Sequence, residues 1–238
     1  MKINEIVKPS KNDIQIFQDL DGCLADFDKG VKAFTGQSAA DVPQNKLWAI
    51  IGDQTIKANS NHHLIMQHLE NGELPEKYKQ MAKVLRGLHG AKLLKDNELT
   101  DLGREALASL DKMQDFTIKK DFYNSLDMMP DGQQLWDKVG PMGAVILTGM
   151  PVGNWADGQK RTWCKRMLDP QPPMVLTGWA RDKHKLAAEY LGRPLNGDVL
   201  IDDRPKHQAA WEEAGGKWIT HTSAANSIAE LEKYLAGI

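Results

Sequence analysis

The chain has 238 residues, of which 41% are hydrophobic and 26% charged, with a formal net charge of −2 and two cysteines, Cys23 and Cys164. That size and balance fit a globular protein of one large domain, or one domain carrying an insertion, and exclude a global basic field for nucleic acid or a polybasic membrane arm. No apolar run approaches the roughly 20 residues of a membrane span, the opening MKINEIVKPSKND lacks a signal-peptide core, and two thiols make no disulfide framework; a cytoplasmic protein with no membrane partner is expected.

The first element is an apolar run at 14–19, read as a buried strand ending in Asp19, with Asp21 two positions on and Gly22 turning the chain. Helical patterns follow near 29–35, 44–51, 59–71, 75–88 and 98–114. In the last, Leu99, Leu102, Ala106, Leu110 and Met113 recur at three- and four-residue steps, with Thr100 and Asp101 as start signals. Four further short runs, at 143–148, 174–177, 198–202 and 217–220, read as buried parallel strands. Helices are expected at 155–168, 182–191, 205–214 and 224–236. The fold class is α/β: a Rossmann-like parallel sheet with helices on both faces, plus a helical cap domain inserted between strands 1 and 2. The domain boundaries are 1–28 with 128–238 for the core and 29–127 for the cap.

Buried strands seldom finish on two carboxylates, because crowding desolvated like charges is costly unless a cation or proton compensates. Ligands of open α/β sheets bind at the strand carboxyl ends, so those ends are the informative positions. Beside Asp19 and Asp21, the second strand ends in Thr148 and Gly149, the fourth in Asp202 and Asp203, and Lys183 begins the helix before the fourth. Asp19 and Asp202 are expected to hold a hard cation, Mg²⁺, with Asp21 and Asp203 completing the acidic metal set. Thr148, Lys183 and the backbone N–H groups near Gly22 and Gly149 would bind phosphoryl oxygens. Asp19 would be the nucleophile and Asp21 the proton carrier, since pushing apart neighbouring carboxyl pKa values yields one acid and one base.

DLDG at 19–22, Thr148 after an apolar strand, Lys183 and IDD at 201–203 stand in the order of the haloacid dehalogenase (HAD) superfamily of aspartate-nucleophile phosphatases, which this chain resembles. Cys23 departs from the Thr or Val usual after that motif. DLDGCLADF at 19–27, FYNSLDMMPDG at 122–132, ILTGMP at 146–151, KRTWCK at 160–165, RDK at 181–183 and LIDDRP at 200–205 are further similar to the 5′(3′)-deoxyribonucleotidases. The resemblance implies a Mg²⁺-dependent phosphomonoester hydrolase acting on a small molecule, a nucleoside monophosphate, with Phe27 and Trp48 lining a base pocket and a cap that closes over the site. Gly149 stands where those nucleotidases carry a hydroxyl residue, and the insertion is longer than theirs. Another small phosphomonoester, a phosphosugar, the phosphorylated end of a polynucleotide, or a non-catalytic phosphate-binding module are the alternatives.

Plainer roles compete at several positions. Asp202 and Asp203 also suit a cap for the helix near Pro205, and Lys185 competes with Lys183. His62, His63 and His68 lack cysteine partners and HExxH spacing, so a polar helix face is expected there rather than zinc. Trp155 and Trp179 follow the second and third strands, where rim and core are equally open to them.

Overall fold

The computed structural model describes residues 13–238. In chain order it contains β1 (Ile16–Gln18), α1 (Phe27–Thr35), α2 (Gln44–Ile51), β2 (Gln54–Ile56), α3 (Asn61–Glu70), α4 (Glu76–Lys79), α5 (Ala82–Gly90), β3 (Leu94–Lys95), β4 (Glu98–Leu99), α6 (Asp101–Asp111) and β5 (Phe116–Ile118). Then come α7 (Gly132–Val139), β6 (Val145–Gly149), α8 (Trp155–Met167), β7 (Val175–Gly178), α9 (Lys183–Leu191), β8 (Val199–Asp202), α10 (Gln208–Glu213), β9 (Lys217–Thr220) and α11 (Ala224–Ala236).

Two compact units divide the chain: 13–51 with 121–238, and 52–120. The first is built on a five-stranded sheet in the order β7-β6-β1-β8-β9, every neighbouring pair parallel. Strand side chains alternate between two cores, as the twofold pleat requires. Ile16, Ile146, Val199, Ile201 and Ile219 face one cluster, which Trp136 and Trp163 help to fill from α7 and α8. Phe17, Val145, Leu147, Leu200 and Trp218 face the other, which includes Ala187 of α9 and Trp211 of α10. The fold is therefore α/β with helices on both faces of a parallel sheet, as the strand–helix alternation requires. From β1 the chain runs to β6 and β7 on one side and then crosses to β8 and β9 on the other, so the carboxyl end of β1 lies at the switch of strand order.

The separately packed unit is shorter than the 29–127 interval. Helix α1 buries Phe27 and Val31, and α2 with its preceding turn contributes Val42, Leu47 and Ile51 to the same core as Ile16 and Leu24. Their apolar faces are completed by the sheet unit, which moves the boundaries to 52 and 120.

Unit 52–120 packs its own core around Ile65, Met66, Leu88, Leu93, Ala106 and Leu110. Thr100 caps α6 by accepting from the Gly103 N–H, at 3.1 Å. The helix stops at Asp111, and Met113, at φ +60° and 63% exposed, does not extend its apolar face. Two small antiparallel pairs, β2–β5 and β3–β4, add strands where only helices stood out in the sequence. Among the described residues, no helix is long and apolar enough to cross a membrane.

Candidate active site

The turn after β1 is tied by its own backbone. Leu20 O accepts from the N–H groups of Leu24 and Ala25, each at 2.9 Å, while Leu20, Cys23 and Leu24 are fully buried beneath it. Gly22 adopts φ +78°, and a Cβ there would lie 2.5 Å from Asp203 Oδ2, so both conformation and close approach require glycine. Its N–H donates to Ala25 O at 2.9 Å. That corrects one expectation: the Gly22 N–H holds the turn and is not free for a phosphoryl oxygen.

Asp19 and Asp21 leave this turn held by different lysines. Lys183, at the start of α9, donates to Asp19 Oδ1 and Asp202 Oδ2, both at 2.6 Å. Lys185 instead pairs with Asp182 at the surface. Lys160, on α8, has no exposed side-chain surface; it donates to Asp21 Oδ2 at 2.6 Å and to Thr148 Oγ1 and Gly149 O at 2.8 Å. Its ammonium also lies 4.4 Å from the Tyr123 ring centroid. Thr148 Oγ1 thus accepts from Lys160, and the residue is fully buried behind the cavity wall rather than part of it.

Lys160 was not singled out from the sequence. The signal was its place on α8: Ala156, Gln159, Lys160, Trp163 and Cys164 share the buried face at three- and four-residue steps. A lysine within such a stripe is buried only when paired.

The acidic set exceeds its fixed counter-charges. Asp19, Asp21, Asp202 and Asp203 face Lys160, Lys183 and Arg204, four carboxylates against three cations. Burial, and then Asp19, push the Asp203 carboxyl up to about 7 despite Arg204. Burial and Asp19 also raise Asp202, against the pull of Lys183. For Lys183, burial alone would lower the ammonium, but Asp19 and Asp202 outweigh it and hold its pKa above the ordinary value.

Asp202 and Asp203 are not interchangeable. Asp202 accepts from Lys183 on Oδ2 and from the Arg204 N–H on Oδ1, at 2.8 Å. Asp203 Oδ1 is buried without a hydrogen bond, its nearest cation being Arg204 Nε at 3.9 Å. Ligand atoms of Asp19, Cys23 and Asp203 lie within 4.8 Å of one another. Burial, then Asp19 and Asp203, push the Cys23 thiol well above its ordinary pKa, so it stays protonated and the charged donors are oxygens. Unpartnered carboxylate oxygens on Asp21 and Asp203 and a set of hard donors fit a divalent cation such as Mg²⁺. Asp203, rather than Asp202, presents the open oxygen beside Asp19.

Of the three histidines of α3 expected on a polar helix face, His63 is buried in a hydrogen-bonded role. His63 Nε2 meets Asp111 Oδ1 at 2.7 Å, its Nδ1 accepts from the Asn59 N–H at 3.1 Å, and the His68 ring packs on Tyr78. Cys23 and Cys164 are free, buried thiols, and burial raises Cys164 to about 12.

A cavity of about 490 Å³ opens over the site, with Asp19, Asp21 and Lys183 among its lining residues and Trp48 and Tyr123 in its wall. Phe27 does not line it. The Phe27 ring is 7% exposed, 5.5 Å from Phe122, 6.2 Å from Trp48 and 6.2 Å from Tyr123, and borders a smaller neighbouring cavity. Trp155 stacks on Tyr123 with centroids 5.6 Å apart, whereas Trp179 stands half exposed at the rim. A Cβ at Gly149 would lie 3.1 Å from the Ala180 Cβ, so the hydroxyl side chain expected there has little room.

No family model matches the chain. No curated protein sequence matches it either. Among solved structures, it is similar to the L-2-haloacid dehalogenase of Xanthobacter autotrophicus, at 15% identity over 87% of this chain and 76% of that one, TM-score 0.44. It is also similar to a subfamily IA HAD-superfamily hydrolase of Geobacter sulfurreducens, at 14% over 88% and 90%, TM-score 0.42. A third is a haloacid dehalogenase-like hydrolase of Streptococcus pneumoniae, at 14% over 93% and 90%, TM-score 0.44.

Proposed function

We propose that the chain is a Mg²⁺-dependent phosphomonoester hydrolase of the HAD type, working through an aspartyl-phosphate and acting on nucleoside monophosphates. One observation carries the reading: two aspartates from one strand end are held by two different buried lysines beside a threonine hydroxyl. Equivalent carboxylates would serve as a simple cation clamp. Non-equivalent ones supply a nucleophile and a proton carrier.

In this reading Asp19 attacks phosphorus, forming the Asp19 carboxyl–phosphorus bond as the ester oxygen departs. Asp21 gives that oxygen its proton. Lys183 keeps Asp19 in line, and Thr148 accepts from the lysine that holds Asp21. Asp21 then takes a proton from water, which attacks phosphorus, and the Asp19–phosphorus bond breaks to release inorganic phosphate, restoring the Asp19 carboxylate and the protonated Asp21. Asp19 and Asp203, with Asp202 behind Lys183, would hold Mg²⁺, which when bound offsets the negative charge of phosphate and carboxylate together. Phosphoryl transfer needs mainly this positioning and charge stabilisation.

The test is phosphate release from nucleotides, sugar phosphates, glycerol phosphate and 5′-phosphorylated oligonucleotides, with Mg²⁺ and with chelator. Asp19→Asn is expected to fold and to release no phosphate. Full activity in that variant defeats the aspartyl-phosphate mechanism, and equal turnover across the panel defeats the nucleotide assignment.

A further inference from the structure

A second cavity, of about 450 Å³, adjoins the one over the carboxylates; Met150, Pro151 and Trp179 border both. Its volume lies in the range of about 300–1,000 Å³ usual for ligand sites. Asn154, Asp157 and Thr177 are the polar residues of its wall. Asp157 is already engaged, accepting from Thr177 Oγ1 at 2.5 Å and from Arg161 Nε at 3.0 Å. Asn154, exposed at the start of α8, offers an amide donor and acceptor to a ligand.

Trp179 is the first residue after β7 and is 50% exposed. The Arg181 guanidinium lies 5.5 Å from its ring, backing the indole with a cation. A large, half-exposed aromatic side chain between two cavities with a cation near its ring is suited to stack on a planar ligand. Phe27, by contrast, has its ring enclosed by Phe122, Tyr123 and Trp48.

We propose that Trp179 is the platform on which the nucleobase of the substrate stacks, with the leaving nucleoside passing Pro151 into the second cavity and Asn154 meeting the base edge. This rests on the phosphatase reading above and replaces the Phe27 pocket as the base subsite. Every base has a π-face, so Trp179 supplies affinity across bases and Asn154 discriminates among them.

The experiment measures KM and kcat of wild type, Trp179→Ala, Trp179→Phe and Asn154→Ala on the four deoxynucleoside 5′-monophosphates and on glycerol 3-phosphate, which has no ring. Trp179→Ala is expected to raise KM for every nucleotide by roughly 5- to 100-fold and to change glycerol 3-phosphate by much less. Trp179→Phe restores most of the loss, and Asn154→Ala changes the order of preference among bases. Equal losses on nucleotides and glycerol 3-phosphate, or no loss on either, overturn the proposal. If wild type hydrolyses none of these esters, the phosphatase reading falls, and equilibrium dialysis of deoxyadenosine still decides the subsite. Weaker retention by Trp179→Ala than by wild type and Trp179→Phe supports it, and equal retention by all three overturns it.

Discussion

Replacing Lys160 by methionine removes one buried ammonium while keeping most of its volume. Asp21 Oδ2, Thr148 Oγ1 and Gly149 O then lose a donor together. Breaking a buried ion pair by removing one partner costs about 3–5 kcal/mol, because the remaining charge stays buried. Asp21 retains 12% of its side-chain exposure, so water partly replaces the lysine, and Thr148 can turn its hydroxyl toward one of the orphaned oxygens. The low end of the range, about 3 kcal/mol, is expected. Urea unfolding of wild type, Lys160→Met, Asp21→Asn and the double variant closes a thermodynamic cycle. Its coupling should be about 2 kcal/mol, since removing both partners leaves no isolated charge. Activity should fall by roughly 100-fold, through a proton carrier no longer fixed beside the ester oxygen. A Lys160→Met variant within about 1 kcal/mol of wild type, or a cycle additive to about 0.5 kcal/mol, would refute the claim that this lysine holds Asp21.

Two further substitutions address the backbone and the opposite edge of the sheet. Gly22→Ala should cost about 1–3 kcal/mol from its positive φ and also displace Asp203, so weakened Mg²⁺ binding in calorimetry should accompany the lower midpoint; unaltered metal affinity would contradict the close approach. Asp198 is buried and accepts from Arg193 Nη1 and Nη2 and from the Gln15 and Asn196 N–H groups at 2.7–2.9 Å. Burial would raise its carboxyl, but these donors outweigh it and hold the pKa below the ordinary value. A carboxylate lowered in the folded state stabilises fully above its unfolded pKa of about 3.9 and loses that contribution as pH falls through the folded value. Asp198→Asn should therefore be about 3 kcal/mol less stable at pH 7, with the gap narrowing below about pH 4; a gap independent of pH would contradict the assignment.

The placement of the strand-end side chains was legible because it is local. Each of Asp19, Thr148 and Asp202 terminates an apolar run, and a parallel sheet brings such ends to one edge whatever the remaining packing does. Lys160 was hidden because its partner Asp21 lies 139 residues away, and a lysine in the middle of a helix reads as solvated until the opposite wall is known. The β2–β5 and β3–β4 pairs escaped because strands of two or three residues are too short to display a twofold alternation. The compact units divide at 52 and 120 rather than at 29 and 127 for a related reason. Helices α1 and α2 are amphipathic by themselves, and only tertiary contact shows which core receives Val31, Leu47 and Ile51.

The different tasks of Asp202 and Asp203 follow from the pleat. Asp202 is the last residue of β8 and Asp203 the first beyond it, and successive side chains of an extended segment leave on opposite sides. Asp202 is drawn inward to Lys183 and the Arg204 N–H, where both its oxygens are used. Asp203 emerges beside Gly22, close enough that even a methyl group on that glycine would collide with it. The glycine after the aspartate pair thus serves two strand ends at once: it turns β1 away from the sheet and leaves the space in which the acid of β8 approaches Asp19. Lys183 bridges Asp19 and Asp202 and offsets one of their two charges, while Asp203 keeps an unpaired oxygen. In the proposed mechanism that asymmetry leaves Asp19 between the lysine it shares with Asp202 and the acid that approaches it past Gly22.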